Sequence, residues 1–242
     1  GDLDVLGVAQ LDSIIVWWEN IAGDGSAWTP HDVGGSFISP FSVHAADVDG
    51  DGDVDVLSAD FDTNEIVWWE NMAGNGLVWT SHDVGTGVDA MSVYAGDVDG
   101  DGDLDVLGTS FDSATVAWWE NTAGDGSAWT LHILDSGFGG PKGVYGADVD
   151  GDGDLDVLGA AWGDSTIAWW RNETIHRSAA YPPAGMHVLS STFDSVTLAH
   201  AADVDGDGDT DVLGAAGLAD TIAWWGNASP VGAGGAWTQH VI

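Results

Sequence analysis

The chain has 242 residues, with 40 acidic side chains against three basic ones (Lys142, Arg171 and Arg177), a formal charge of −37 and no cysteine. That balance excludes recognition of nucleic acid or of an anionic membrane through a basic patch, and without cysteine there is neither a disulfide scaffold nor thiol chemistry. No apolar run of about 18 residues occurs, so no helical membrane span is expected.

Five copies of one unit fill the chain, at residues 1–41, 42–91, 92–142, 143–197 and 198–242. The first opens inside a motif: Gly1-Asp2-Leu3-Asp4-Val5-Leu6 matches only the tail of an aspartate ladder that the other four units carry whole. Further chain is therefore expected upstream. The full ladder, Asp-Val-Asp-Gly-Asp-Gly-Asp-x-Asp, begins at Asp47, Asp97, Asp148 and Asp203, and a short apolar stretch follows each time, as in Asp105-Val106-Leu107.

The third unit shows the layout. A strand at 93–97 enters the ladder and a second at 105–110 leaves it. A third is predicted at 115–120 and a fourth at 128–133, with a turn-rich Asn121-Thr122-Ala123-Gly124 connection between the last two. Four strands per unit of about 50 residues are the pattern of β-propeller blades. The fold expected is therefore all-β: one propeller domain, 1–242, of about five four-stranded blades, with the ladder joining the first and second strands. Because the first unit starts at its second strand, 19 strands are expected, and that blade is incomplete. Either that blade is short, or another segment or molecule supplies its inner strand, or the units belong to a larger ring or an open array.

Each third strand carries a doubled tryptophan: Trp17-Trp18, Trp68-Trp69, Trp118-Trp119, Trp169-Trp170 and Trp224-Trp225. Successive strand residues face opposite sides, so each pair offers one ring to each neighbouring blade. Blade-to-blade packing is the simplest role for them, with sugar stacking the alternative. Fourth-strand tryptophans Trp28, Trp79, Trp129 and Trp237 fall nearer the rim and are the candidates for ligand contact. Small residues such as Ala45-Ala46 and Ala95-Gly96 in the first strands suit crowding at a propeller axis.

The fourth unit departs from the pattern. In place of a short Gly-Asp-Gly turn it carries Arg171-Asn172-Glu173-Thr174-Ile175-His176-Arg177 and then Tyr181-Pro182-Pro183. An irregular loop on a regular scaffold is where specificity often resides, which makes Arg171 a candidate ligand contact; a tolerated insertion is the alternative. Asn172-Glu173-Thr174 and Asn227-Ala228-Ser229 both match the N-glycosylation acceptor pattern.

The ladder is read as a calcium loop. Carboxylates at alternate positions of a glycine-tightened loop converge on one point, and that many hard oxygen donors suit Ca2+ better than Mg2+. In the first full loop, Asp47, Asp49, Asp51 and Asp55 are assigned as side-chain ligands and Asp53 as a backbone-carbonyl ligand. The equivalent sets are Asp97, Asp99, Asp101, Asp103 and Asp105; Asp148, Asp150, Asp152, Asp154 and Asp156; and Asp203, Asp205, Asp207, Asp209 and Asp211. Without a metal, carboxylates about 4 Å apart repel by roughly 4 kcal/mol per pair at an effective dielectric near 20. About four Ca2+ are expected, offsetting about eight of the negative charges. The alternative, that Asp and Gly only mark solvated turns, has to account for four near-identical copies. An EF-hand loop does not fit, since it runs twelve residues to a Glu between helices.

On these loops the chain resembles the FG-GAP and VCBS repeats of integrin α-subunit propellers and many secreted microbial proteins, although the Phe-Gly and Gly-Ala-Pro signatures are not clear here. The resemblance implies calcium loops that brace each blade. It implies no particular ligand, since such propellers serve adhesion, lectin-like binding and accessory roles in enzymes.

The function expected is that of a secreted or cell-surface, non-catalytic binding or adhesion module for a protein or carbohydrate outside the cell. Two alternatives stand beside it: a lectin using the rim tryptophans, and a structural subunit of an extracellular fibre or matrix built by self-assembly. A polysaccharide-active enzyme is disfavoured, because His31, His82, His132, His187 and His240 recur at one blade position, as do His44 and His200 with Tyr94 and Tyr145, and recurrence argues for structure. Only His176 breaks that pattern.

Overall fold

The computed structural model describes residues 2–35, 37–86, 89–173, 179–182, 185–228 and 237–242. His176, Arg177, Pro183 and Ser229 lie outside the described residues. Among the described residues, 19 strands form five antiparallel sheets in chain order. The first sheet has three strands, β1 (Val5–Ala9), β2 (Ile14–Glu19) and β3 (Thr29–Asp32), and the second has β4 (Pro40–Ala46), β5 (Asp55–Asp60), β6 (Glu65–Asn71) and β7 (Trp79–Thr86). The third holds β8 (Ala90–Gly96), β9 (Asp105–Ser110), β10 (Thr115–Asn121) and β11 (Trp129–Asp135). The fourth holds β12 (Pro141–Ala147), β13 (Asp156–Ala161), β14 (Thr166–Trp170) and β15 (Met186–Ser190), and the fifth β16 (Val196–Ala202), β17 (Asp211–Ala216), β18 (Thr221–Asn227) and β19 (Trp237–Val241). The only helical element among the described residues is one 3-10 turn, Gln10–Asp12.

Successive sheets pack chiefly through their first strands, β4 on β8, β8 on β12 and β12 on β16. This is a propeller-like repeat arrangement, and it places four hydrophobic layers between five sheets. Period-2 alternation assigns the tryptophans to these layers. Trp68 lies in the layer between the second and third sheets together with Trp119, and Trp118 lies between the third and fourth with Trp170. In the sheets with a neighbour on both sides the first ring of each pair thus faces the following sheet and the second faces the preceding one. In the second, third and fourth sheets the second strands are covered on both sides, and Asp55–Asp60, Asp105–Ser110 and Asp156–Ala161 are buried throughout, so each buried Val or Leu there contributes about 1.5–3 kcal/mol.

One cross-strand row recurs in every complete sheet: Tyr94 opposite Leu107, Leu107 opposite Trp118, Trp118 opposite His132. The same row reads His44, Leu57, Trp68, His82 in the second sheet. Each histidine stacks on its tryptophan, as Trp118 does on His132 with centroids 4.4 Å apart. On the inner strands the row joins neighbouring sheets, Tyr94 meeting His44 at 4.6 Å and Tyr145 at 4.8 Å. The recurring histidines and tyrosines are therefore packing elements.

The layers stop at the fifth sheet. Ile15, Ile66, Val116 and Ile167 are at most 1% exposed, whereas Ile222, at the same position of the fifth unit, is 53% exposed. Among the described residues no sheet covers that face.

Candidate metal centres

Each aspartate ladder is the loop between the first and second strands of its sheet. The tight path needs left-handed backbone at its glycines, with φ of +74° at Gly50 and +97° at Gly52, a region glycine enters without Cβ strain. Aspartate side chains then fold the loop onto themselves. Gly52 N donates to Asp47 Oδ2 at 3.0 Å, Asp51 N to Asp49 Oδ1 at 3.1 Å and Asp53 N to Asp51 Oδ1 at 2.8 Å. The pattern repeats in the loops starting at Asp97, Asp148 and Asp203.

Three carboxylates per loop bring oxygens within 4.8 Å of one another: Asp47, Asp49 and Asp55; Asp97, Asp99 and Asp101; Asp148, Asp150 and Asp156; Asp203, Asp205 and Asp211. The remaining ladder residues fall outside these groups. Asp53 and Asp103 turn their carboxylates toward Gly74 and Gly124 in the connection between third and fourth strands. Asp51, Asp105, Asp152, Asp154, Asp207 and Asp209 likewise lie outside the groups.

The ninth ladder residue has a structural task of its own. Asp55 accepts from Val48 N at 3.0 Å and from Asn71 N at 2.8 Å, tying the start of its loop to the end of the third strand. Asp105, Asp156 and Asp211 repeat both bonds. Burial pushes the carboxyl of Asp105 up to about 7 and that of Asp156 up to about 8, against the two backbone hydrogen bonds that favour the charged form. Asp49, Asp99 and Asp150 are also raised, first by burial; neighbouring loop carboxylates add to it.

The loops fit a hard cation. All donors are oxygens, Asp47 Oδ1 is buried without a hydrogen-bond partner, and the carboxyls are held close at a cost that a divalent ion would relieve.

Sequence reasoning missed the asparagine that ends each third strand. Asn121 Oδ1 accepts from Gly126 N at 3.0 Å, while Nδ2 donates to Leu104 O and, across the sheet boundary, to Val48 O, both at 3.3 Å. Asn172 and Asn227 bridge in the same way to Val98 O at 2.8 Å and Val149 O at 3.2 Å. The recurring Trp-Trp-Glu-Asn string was the available signal. It also corrects the glycosylation reading: Asn172 is 0% exposed and Asn227 is buried, and a sugar on either Nδ2 would displace the bond that joins two sheets.

Of the rim tryptophans, Trp28 is 40% exposed. Trp79, Trp129 and Trp237 are half-buried and pack against the interlayer clusters. Arg171 does not stand on an open rim. It turns into the loop of its own sheet, with Nε 2.8 Å from Asp150 Oδ2 and Nη2 donating to Asp152 Oδ2 at 3.1 Å.

Residues 1–58, 47–108, 97–159 and 148–214 each match the FG-GAP-like repeat. No curated protein matches the sequence. Among solved structures, an Agrocybe aegerita lectin, described for its specific recognition of non-reducing terminal N-acetylglucosamine, aligns with 94% of this chain and 60% of its own at 18% identity and a TM-score of 0.57. A functionally unknown protein from Desulfotomaculum acetoxidans aligns with 92% of this chain and 61% of its own at 14% identity and a TM-score of 0.55. The chain thus spans about 60% of the length of these neighbours, and at such identities the likeness is one of fold.

Proposed function

The chain belongs to the FG-GAP-like repeat family, and from that premise we propose that it is a calcium-braced, propeller-like binding module of five blades that works outside the cell and carries no chemistry of its own. The observation that carries this reading is the fourfold recurrence of three carboxylates gathered in a glycine-tightened loop at the same place in each four-stranded sheet. A divalent cation in each loop would relieve the carboxylate repulsion and lock the connection between the first and second strands. Such loops fill at calcium concentrations found outside cells, which supports an extracellular or cell-surface setting.

The test is thermal melting with chelator and with millimolar calcium. An ion that binds only the folded state adds about 2.7 kcal/mol per site at a hundredfold excess over its Kd. We expect a rise of several degrees or more on adding calcium, and an identical melt in both conditions overturns the structural-metal role.

A lectin is the second reading, favoured by the exposed ring of Trp28 and by the fold shared with the A. aegerita lectin. A glycan array that includes terminal N-acetylglucosamine, run with calcium and with chelator, tests it. Calcium-dependent binding to a defined sugar supports a lectin; no binding by folded protein shifts the ligand class to protein.

A further inference from the structure

The residue after each tryptophan pair is Glu19, Glu70, Glu120, Arg171 and Gly226 in the five units. In the first three it is a carboxylate that meets the stacked histidine: Glu19 Oε2 lies 3.0 Å from His31 Nε2, and Glu70 and Glu120 lie 2.8 Å from His82 and His132. Glu70 and Glu120 also lie beside their ladders, since the next residues, Asn71 and Asn121, donate their backbone N–H to Asp55 and Asp105 at 2.8 and 2.9 Å. The position therefore sets the electrostatic surroundings of the metal loop in its own sheet, and in the fourth unit the sign is reversed.

Resting on the calcium reading above, we propose that Arg171 is a tethered cation that competes with calcium for the loop Asp148–Asp156, making this the weakest of the four sites and the last to fill. Its guanidinium touches two carboxylates of that ladder, Asp150 and Asp152, and Asp150 is one of the three whose oxygens converge. The contact to Asp150 lacks the alignment of a hydrogen bond, since neither Arg171 Nε nor Asp150 Oδ2 has a hydrogen-bond partner. It is held by charge and leaves Asp150 able to exchange one cation for another. A divalent ion entering here must displace the guanidinium or share its carboxylates with a positive charge, whereas at the Asp47 and Asp97 loops it meets an added negative charge. His187 still stacks on Trp169, with centroids 4.5 Å apart, so the reversal leaves the packing beneath the loop in place.

Calorimetric calcium titration of the whole chain tests this, beside Arg171→Gln and the repeat-matching Arg171→Glu. The wild type should resolve three tighter sites and one at least about tenfold weaker, since moving one unit charge at contact distance is worth more than the 1.4 kcal/mol that corresponds to a factor of ten. Arg171→Gln should bring the weak site to within a few-fold of the others, and Arg171→Glu should remove the distinction. Far-UV circular dichroism checks that each variant is folded. Four equivalent ions in the wild type, or a weak site that both folded variants leave unchanged, overturns the proposal while the calcium reading stands. No calcium bound by the wild type overturns both. Limiting terbium soaked into crystals gives a site-resolved check, because its anomalous signal should be lowest at the Asp148 loop and should equalise in Arg171→Glu.

Discussion

Ile66 drives its Cδ1 into the space that a side chain on Gly108 would occupy, 2.7 Å from where that Cβ would stand. Trp119 of Gly108's own sheet closes the same space, at 2.8 Å. The second and third sheets therefore interlock as knob and hole, and Ile167 repeats the device against Gly214.

Gly108→Ala should accordingly destabilise by about 1–3 kcal/mol through overpacking. Adding Ile66→Val, which shortens the knob, should recover part of that loss. A double-mutant cycle by denaturant unfolding reads the coupling, and strict additivity would mean that the two residues do not share this space.

Asn121→Ala removes two donated bonds and one accepted bond at the seam between sheets and leaves buried backbone groups unpaired. The expected loss is about 2–3 kcal/mol, measured by urea unfolding. A change under about 0.5 kcal/mol, the usual size for a surface substitution, would show that the bridge adds little.

Stability without metal should fall as pH rises. Buried Asp105 and Asp156 hold their protons to about 7 and about 8 in the folded chain, against 3.8 as the ordinary value. Between those limits the folded state binds more protons than the unfolded one, so its advantage is complete below about 4 and is lost as pH climbs through 7 to 8. Melting in chelator at pH 5, 6, 7 and 8 should show a declining Tm. With saturating calcium, which binds the ionised carboxylates, the decline should disappear or reverse. A rising Tm in chelator contradicts the assignment.

Ala114 sits at φ +52° in the turn between second and third strands. Side chains other than glycine, Asn and Asp pay for left-handed backbone, so Ala114→Gly should stabilise by up to about 1 kcal/mol, less the extra freedom glycine brings to the unfolded chain. The analogous turn in the second unit uses Asn64, at φ +60°, and Asn64→Gly should change stability less. Thermal melts of the two variants make the comparison.

Much of this molecule could be read along the chain because its information is periodic and local. The loops are contiguous ladders with their glycines built in, and the doubled tryptophans declare both faces of a strand through period-2 geometry. The strand count of 19, the three-stranded first sheet and the burial of the tryptophan pairs in sheets with two neighbours all follow from those local rules. Three matters needed the tertiary structure. Asn172 and Asn227 look like exposed sugar acceptors until their partners, Val98 and Val149, are seen 74 and 78 residues away. Arg171 looks like a rim residue until its strand end is set beside a loop about 20 residues earlier. Ile222 looks like core until the described residues are seen to set no sheet over it. A residue's own neighbours state its type and the side of the strand it occupies, but its burial and its bonds depend on which other unit is brought against that side, and only the packed sheets decide that.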